Sequence, residues 1–306
     1  MKRKIIREGD VVHIYQLSSD KGIIFYELKD FLVFYTVFSY LVRIHHIKVA
    51  GLCIMLNHIH IAIAQTTNKE ISDFMRDLKS IFALAYNRRY SRKGSLWQDD
   101  YGSAIKRSSK DIRSFAAYLY NNPVEKHSCT VADDYRWNFL RYARNLNPFS
   151  TKVQLCNARN KYRKAIRLVN YYAAHSIPLT YAVLDRIFGD LSKEEAPAFI
   201  DYIVSKYMCI DFNVFLSQYD DFTSMIAAFK ETAGKEYDIN EHQDKFTYRE
   251  FKQLYTVCTN MGYTGKGRTY FTMKDEEKAV LFKKLKAITK VSDYNIRHYI
   301  HYCIDL

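Results

Sequence analysis

Residues 46–65, HIKVAGLCIMLNHIHIAIAQ, read as two apolar strands, 46–56 and 58–65, with Asn57 near the break between them. On a strand, side chains i and i+2 project to the same face. His58 and His60 therefore present two imidazoles side by side, while Ile59, Ile61 and Ile63 face the opposite way. Two neutral imidazoles at that separation make half of a divalent-metal site. Two satisfied core histidines would leave the same pattern, so the surrounding sequence has to decide.

Working outward, VVHIYQLS (11–18) alternates as a strand does, and LKDFLVFYTVFSYLVRI (28–44) is apolar all round and long enough for a buried helix. Residues 68–94 carry Ile71, Phe74, Met75, Leu78, Ile81, Phe82 and Ala85 at helical spacing, with Gly94 as the stop. LWQDDYGSAIKR (96–107) reads as a strand with an irregular start. SSKDIRSFAAYLYNNP (108–123) reads as a second amphipathic helix, capped by Ser108 or Ser109 and stopped by Pro123. This order predicts an α+β domain, a small antiparallel sheet with helices on one face. After NLNPFSTK (145–152) the strand patterns vanish. Helical patterns follow at 157–175, 179–189, 192–208 and 247–262, with capping-box pairs Ser192/Glu195 and Thr247/Glu250. We therefore expect two domains, 1–150 and an all-α 151–306.

The formal net charge of +13 points to a polyanionic partner, most often nucleic acid. Residues 1–150 hold 23 Lys and Arg against 14 Asp and Glu, a net of +9; residues 151–306 hold 23 against 19, a net of +4. The first half should carry more of that contact. Six scattered cysteines without a CxxC pair argue against a zinc ribbon or a disulfide framework, and for a reducing compartment. The basic start MKRKIIREGD lacks an apolar segment after it, and DFLVFYTVFSYLVRI (30–44) is too short to span a bilayer. The expectation is a cytoplasmic protein with no membrane segment.

A third ligand is available in YLYNNP: Tyr118 and Asn122 are i and i+4 on one helix face. An amide oxygen suits a hard cation such as Mg²⁺ or Mn²⁺. A tyrosine one turn away could attack a phosphate held there, although with 26 tyrosines such a pair also arises by chance. Tyr120 is the rival nucleophile, but it points roughly 200° away from Tyr118 on the helix.

Taken together, GLCIMLNHIHIAIA, LWQDDYGSAI and YLYNNPV resemble the three signature blocks of the single-tyrosine HUH transposases, closest to the REP-associated tyrosine transposases of the insertion-sequence 200-like family. The resemblance covers roughly residues 8–145. It departs at Leu56, where the family usually has proline, and in the long helical half, which many short members lack. It implies a ferredoxin-like nuclease domain acting on single-stranded DNA near a hairpin. His58, His60 and Asn122 would hold Mg²⁺ or Mn²⁺, and Tyr118 would be the nucleophile of a DNA-nicking and strand-transfer reaction through a 5′-phosphotyrosine link. No small-molecule substrate is implied, and a homodimer is allowed.

AYNRRYSRKGSLWQ (85–98) interleaves Arg88, Arg89, Arg92 and Lys93 with Tyr86, Tyr90 and Trp97, a pattern that suits phosphates and splayed bases. A solvated helix end would look the same. Lys106 and Arg107 would extend the patch. Near the end of the chain, two helical patterns flank TKVS (289–292), with Ser292 as cap and Ile296, Tyr299, Ile300 and Cys303 as an inner face. This is helix-turn-helix spacing, and Asn295, Arg297, His298 and His301 would face outward toward DNA. GYTGKGRTYF (262–271) is Gly-rich and basic but fails the P-loop pattern. A catalytically silent DNA-binding protein of the same fold is the alternative. The histidine-triad hydrolases, which also begin from HxH, are set aside because Ala62 stands where a further histidine is needed.

Overall fold

A computed structural model describes residues 5–233, 247–263 and 268–302. Four strands, β1 (Val11–Leu17), β2 (Lys48–Ile54), β3 (His58–Ala64) and β4 (Gly102–Lys106), form one antiparallel sheet in the order β2-β3-β1-β4. α1 (Leu28–Ile44) connects β1 to β2, and α2 (Asn68–Tyr90) connects β3 to β4. Each connection joins two parallel strands across one intervening strand, and the right-handed rule places both helices on one face. The two helices pack on one another.

Register assigns the faces. Tyr15 and Cys53 stand opposite His60, and His13 stands opposite both Ala62 and Ala104, so these residues share the histidine face. Ile14, Leu52, Ile59, Ile61 and Ile63 share the other face, with Gln16, whose amide donates to the Gln98 carbonyl that Lys79 of α2 also reaches. α3 (Ser109–Glu125) lies across the histidine face, with the Phe115 ring 4.3 Å from that of His13. Every residue of β3 is consequently buried. The expected antiparallel sheet with helices on one face is present, and α3 adds a layer on the second.

Local signals explain most boundaries. Thr67 and Glu70 exchange hydrogen bonds in a capping box at the start of α2, as do Ser108 and Asp111 at the start of α3. Two stops differ from expectation. α2 ends at Tyr90 because Ser91 adopts the left-handed conformation (φ 54°), ahead of Gly94. Pro123 lies inside α3, three residues before Lys126, where its missing N–H removes one ladder bond in the last turn without ending the helix. β4 is shorter than 96–107, because Trp97 instead bridges Ser18.

The remainder is helical: α4 (Asn160–Ala174), α5 (Tyr181–Asp190), α6 (Glu195–Lys206), α7 (Asn213–Leu216), α8 (Phe222–Thr232), α9 (Tyr248–Asn260), α10 (Arg268–Thr272), α11 (Asp275–Ile288) and α12 (Asp293–Ile300). These helices explain why α1 is apolar all round: it touches β2, α2, α5 and α6. Buried polar groups stitch the same contacts. The Asp30 carboxylate accepts from the Tyr26 and Glu27 amides and from the hydroxyls of Tyr90 and Tyr181. Asp201 accepts from Arg136, Tyr142, Ser150 and the Phe149 amide. At the far end, His301 contacts Asp20 (2.6 Å) and the Ile23 carbonyl (2.8 Å), and the Tyr26 hydroxyl donates to the Tyr299 carbonyl. One connected cluster of buried side chains runs from Val11 to Tyr302. Among the described residues no helix is long and apolar enough to cross a membrane.

Candidate metal and tyrosine site

Strand pairing and α3 bring His58, His60, Tyr118 and Asn122 together, with a fifth residue that the sequence did not single out, His13. The His58 and His60 rings are 4.9 Å apart, and the Tyr118 ring lies 5.5 Å from His60 and 5.9 Å from His13. Asn122 Nδ2 donates to Nε2 of His60 (3.2 Å). His13 Nε2 lies 3.1 Å from His60 Nδ1, and His58 Nδ1 lies 2.7 Å from the Asn57 carbonyl oxygen Oδ1. Asn57 is itself anchored by donating to the Lys21 carbonyl (2.8 Å), which braces the turn where Leu56 stands.

Burial, then the positive charge of Lys106, pulls the His13 imidazole down to about 3. Burial, followed by His58, His13 and Lys126, holds His60 well below the ordinary histidine range. Both rings are therefore neutral near pH 7 and keep lone pairs. Of the two tyrosines, only Tyr118 lies against the histidines. Tyr120 is fully buried against Phe215 and Phe229, and burial, with Cys53, pushes its hydroxyl above the ordinary tyrosine range.

The donor types fit a divalent cation. Asn122 Oδ1 is buried with no hydrogen-bond partner among the described residues, the state of an amide oxygen that awaits a ligand. Among those residues no three His, Cys, Asp or Glu side chains form a metal cluster, and Asn122 Oδ1 is the donor available beside His58 and His60. One turn beyond Asn122, burial, offset by Lys126, pushes the Glu125 carboxyl up to about 7. Glu125 also borders a cleft of about 1380 Å³ shared with Cys129, Tyr248, Arg249, Lys252 and Lys290.

The expected DNA contacts divide. Arg88 and Lys93 are exposed at the end of α2. Arg89 instead forms a two-pronged ion pair with Asp185 and stacks on Tyr181, tying α2 to α5. Arg92 donates to the carbonyls of Gly94 and Ser95, and Arg107 to that of Ile5. Trp97, Tyr86 and Tyr90 are corrected: all three are core residues, with Trp97 packed near Phe34 and Phe82, so none offers a ring to a base. Lys106 lies over Phe115, at the edge of the histidine face.

The outward set on α12 is also corrected. Asn295 is buried and donates to Glu250, and His301 turns inward to Asp20. Although burial raises the Asp20 carboxyl, His301 and the Gly22 amide outweigh it and hold the group below the carboxylate range. Arg297 packs over Phe282 and Tyr302, and His298 stacks on Tyr294. Ser292 does cap α12, and Ile296, Tyr299 and Ile300 are its inner face; Cys303 and residues 264–267 lie outside the described residues.

Residues 19–122 match the model of the family described as Transposase IS200 like, which bears out the resemblance for that span. No curated protein matches the chain. Among solved structures the chain is similar to one described as a REP-associated tyrosine transposase bound to a REP hairpin: 18% identity, 47% of this chain and 85% of that one covered, TM-score 0.40.

Proposed function

We propose that this chain, whose residues 19–122 match the IS200-like transposases, is a metal-dependent single-strand DNA endonuclease and strand-transferase. The observation that carries the reading is the convergence of His58, His60, the unpartnered Asn122 Oδ1 and the Tyr118 ring on one sheet face. His58, His60 and Asn122 would hold Mg²⁺ or Mn²⁺; when bound, the cation neutralises a non-bridging phosphate oxygen and orients the scissile bond. The Tyr118 hydroxyl loses its proton and its oxygen bonds to phosphorus, while the bond from phosphorus to the 3′ oxygen breaks. The leaving 3′ oxygen takes up a proton. The products are a 5′-phosphotyrosine and a free 3′-OH, and reversal onto another strand needs no ATP, because the phosphodiester's energy is kept.

The net charge of +13 supports a polyanionic substrate. Exposed Arg88 and Lys93, with Lys106 beside the histidine face, are the contacts proposed for its backbone. The test incubates the protein with hairpin-bearing single-stranded DNA and Mn²⁺ and looks for a covalent adduct on a denaturing gel. The adduct should vanish in Tyr118→Phe and persist in Tyr120→Phe. An adduct that survives Tyr118→Phe refutes the assignment, and no adduct on any hairpin DNA favours a binding-only protein.

A further inference from the structure

Resting on the metal-site reading, we propose that His13 is a positioning residue: it accepts the Nδ1–H of His60 and so aims the His60 Nε2 lone pair into the site. The proton's place follows from the partners. The Asn122 amide nitrogen can only donate, so the His60 Nε2 that it meets at 3.2 Å carries a lone pair. A neutral imidazole has one N–H, which then sits on Nδ1, and the acceptor 3.1 Å from it is His13 Nε2. His58 is set the same way. Asn57 Oδ1 can only accept, so His58 Nδ1 donates to it, and in the neutral ring Nε2 keeps the lone pair.

Each candidate ligand ring is thus oriented by one outer partner, an amide oxygen from the β2–β3 turn for His58 and an imidazole from the neighbouring strand for His60. Register supplies the second. His13 pairs with Ala62, two residues from His60 on the same face, and a methyl group there leaves room for the ring. Phe115 of α3 packs 4.3 Å from the His13 ring on its other side. His13 is fully buried and His60 nearly so, which keeps water from replacing the bond. His13 also lies outside residues 19–122, the span that the family model matches.

Outer partners of this kind change metal affinity by about 10–100-fold when removed. The test measures Mn²⁺ dissociation constants, by the electron paramagnetic resonance signal of the free ion, for the unaltered protein, His58→Ala, His13→Phe and His13→Gln. Alongside, long-range ¹H–¹⁵N correlation reads the His60 tautomer in the metal-free, unaltered protein. We expect the Nδ1–H tautomer, a 10–100-fold weaker constant in folded His13→Phe, and recovery of most of it in His13→Gln, whose amide oxygen can accept. A proton on His60 Nε2, or folded His13→Phe binding Mn²⁺ as tightly as the unaltered protein, overturns the role of His13 alone. If the unaltered protein and His58→Ala bind Mn²⁺ alike, the metal reading falls and the role falls with it. Should His13→Phe fail to fold, the tautomer in the unaltered protein decides.

Discussion

Acidification should loosen this fold through its buried histidines, and His13 gives the size of the effect. The ordinary histidine value is 6.5, and in the folded chain burial and Lys106 bring His13 to about 3. A folded value below the unfolded one means that the unfolded chain binds the extra proton, so stability is fully present above about pH 6.5 and is lost as pH falls. At pH 5 the unfolded imidazole is protonated and the folded one is not, a gap of 1.5 units that corresponds to about 2 kcal/mol at about 1.4 kcal/mol per unit. His60, depressed by burial and then by His58, His13 and Lys126, contributes with the same sign. The assay is urea unfolding in a metal-free buffer at pH 7.5 and pH 5, for the unaltered protein and for His13→Phe. The phenyl ring keeps the apolar packing on Phe115 and removes the titration. The unaltered protein should lose about 2 kcal/mol more than the variant between the two pH values. Equal losses would refute the assignment of acid sensitivity to His13.

Three other outcomes follow from packing and charge. Gly51→Ala places a methyl carbon 2.9 Å from the Phe215 ring, between β2, α3 and α7, and should cost about 1–3 kcal/mol in urea unfolding; an unchanged midpoint refutes that tight fit. Asp201→Ala strands the Arg136 guanidinium beside Tyr142 without its carboxylate and should cost about 3–5 kcal/mol, whereas a loss below 1 kcal/mol would show that Asp201 does not anchor α6. Replacing both exposed Arg88 and Lys93 with alanine should lower the slope of log affinity for single-stranded DNA against log salt by about 1.4 with little change in stability. An unchanged slope removes those two cations from the DNA contact.

What was legible in the sequence was what short-range geometry fixes. His58 and His60 share a face because a strand repeats every two residues, and Tyr118 and Asn122 share one because a helix nearly repeats at four. The structure brings both pairs to one place. His13 escaped notice because its bond to His60 spans 47 positions and depends on strand register, which the alternation of VVHIYQLS does not specify. Trp97, Tyr86 and Tyr90 misled in the opposite direction. Interleaved with arginines they look like a stacking platform, but their burial is completed by Phe34 of α1 and Phe271 of α10, far away in the chain. Asn295 and His301 did the same on α12, where Glu250 and Asp20 draw them inward. The apolar circumference of α1 was readable, and so were the helical patterns of α5 and α6, but not that those two helices cover its outer side.

The clasp between His301 and Asp20 has a consequence for how the chain is made. Its two partners are 281 residues apart, and the Tyr26–Tyr299 bond closes beside it. At a synthesis rate of about 5–20 residues per second, the loop after β1 waits roughly 15–55 s before α12 leaves the ribosome. During that interval Ile23 and Tyr26 lack the share of their packing that the end of the chain supplies. In the nascent chain the contacts that α12 makes with this loop are therefore among the last of the fold to form.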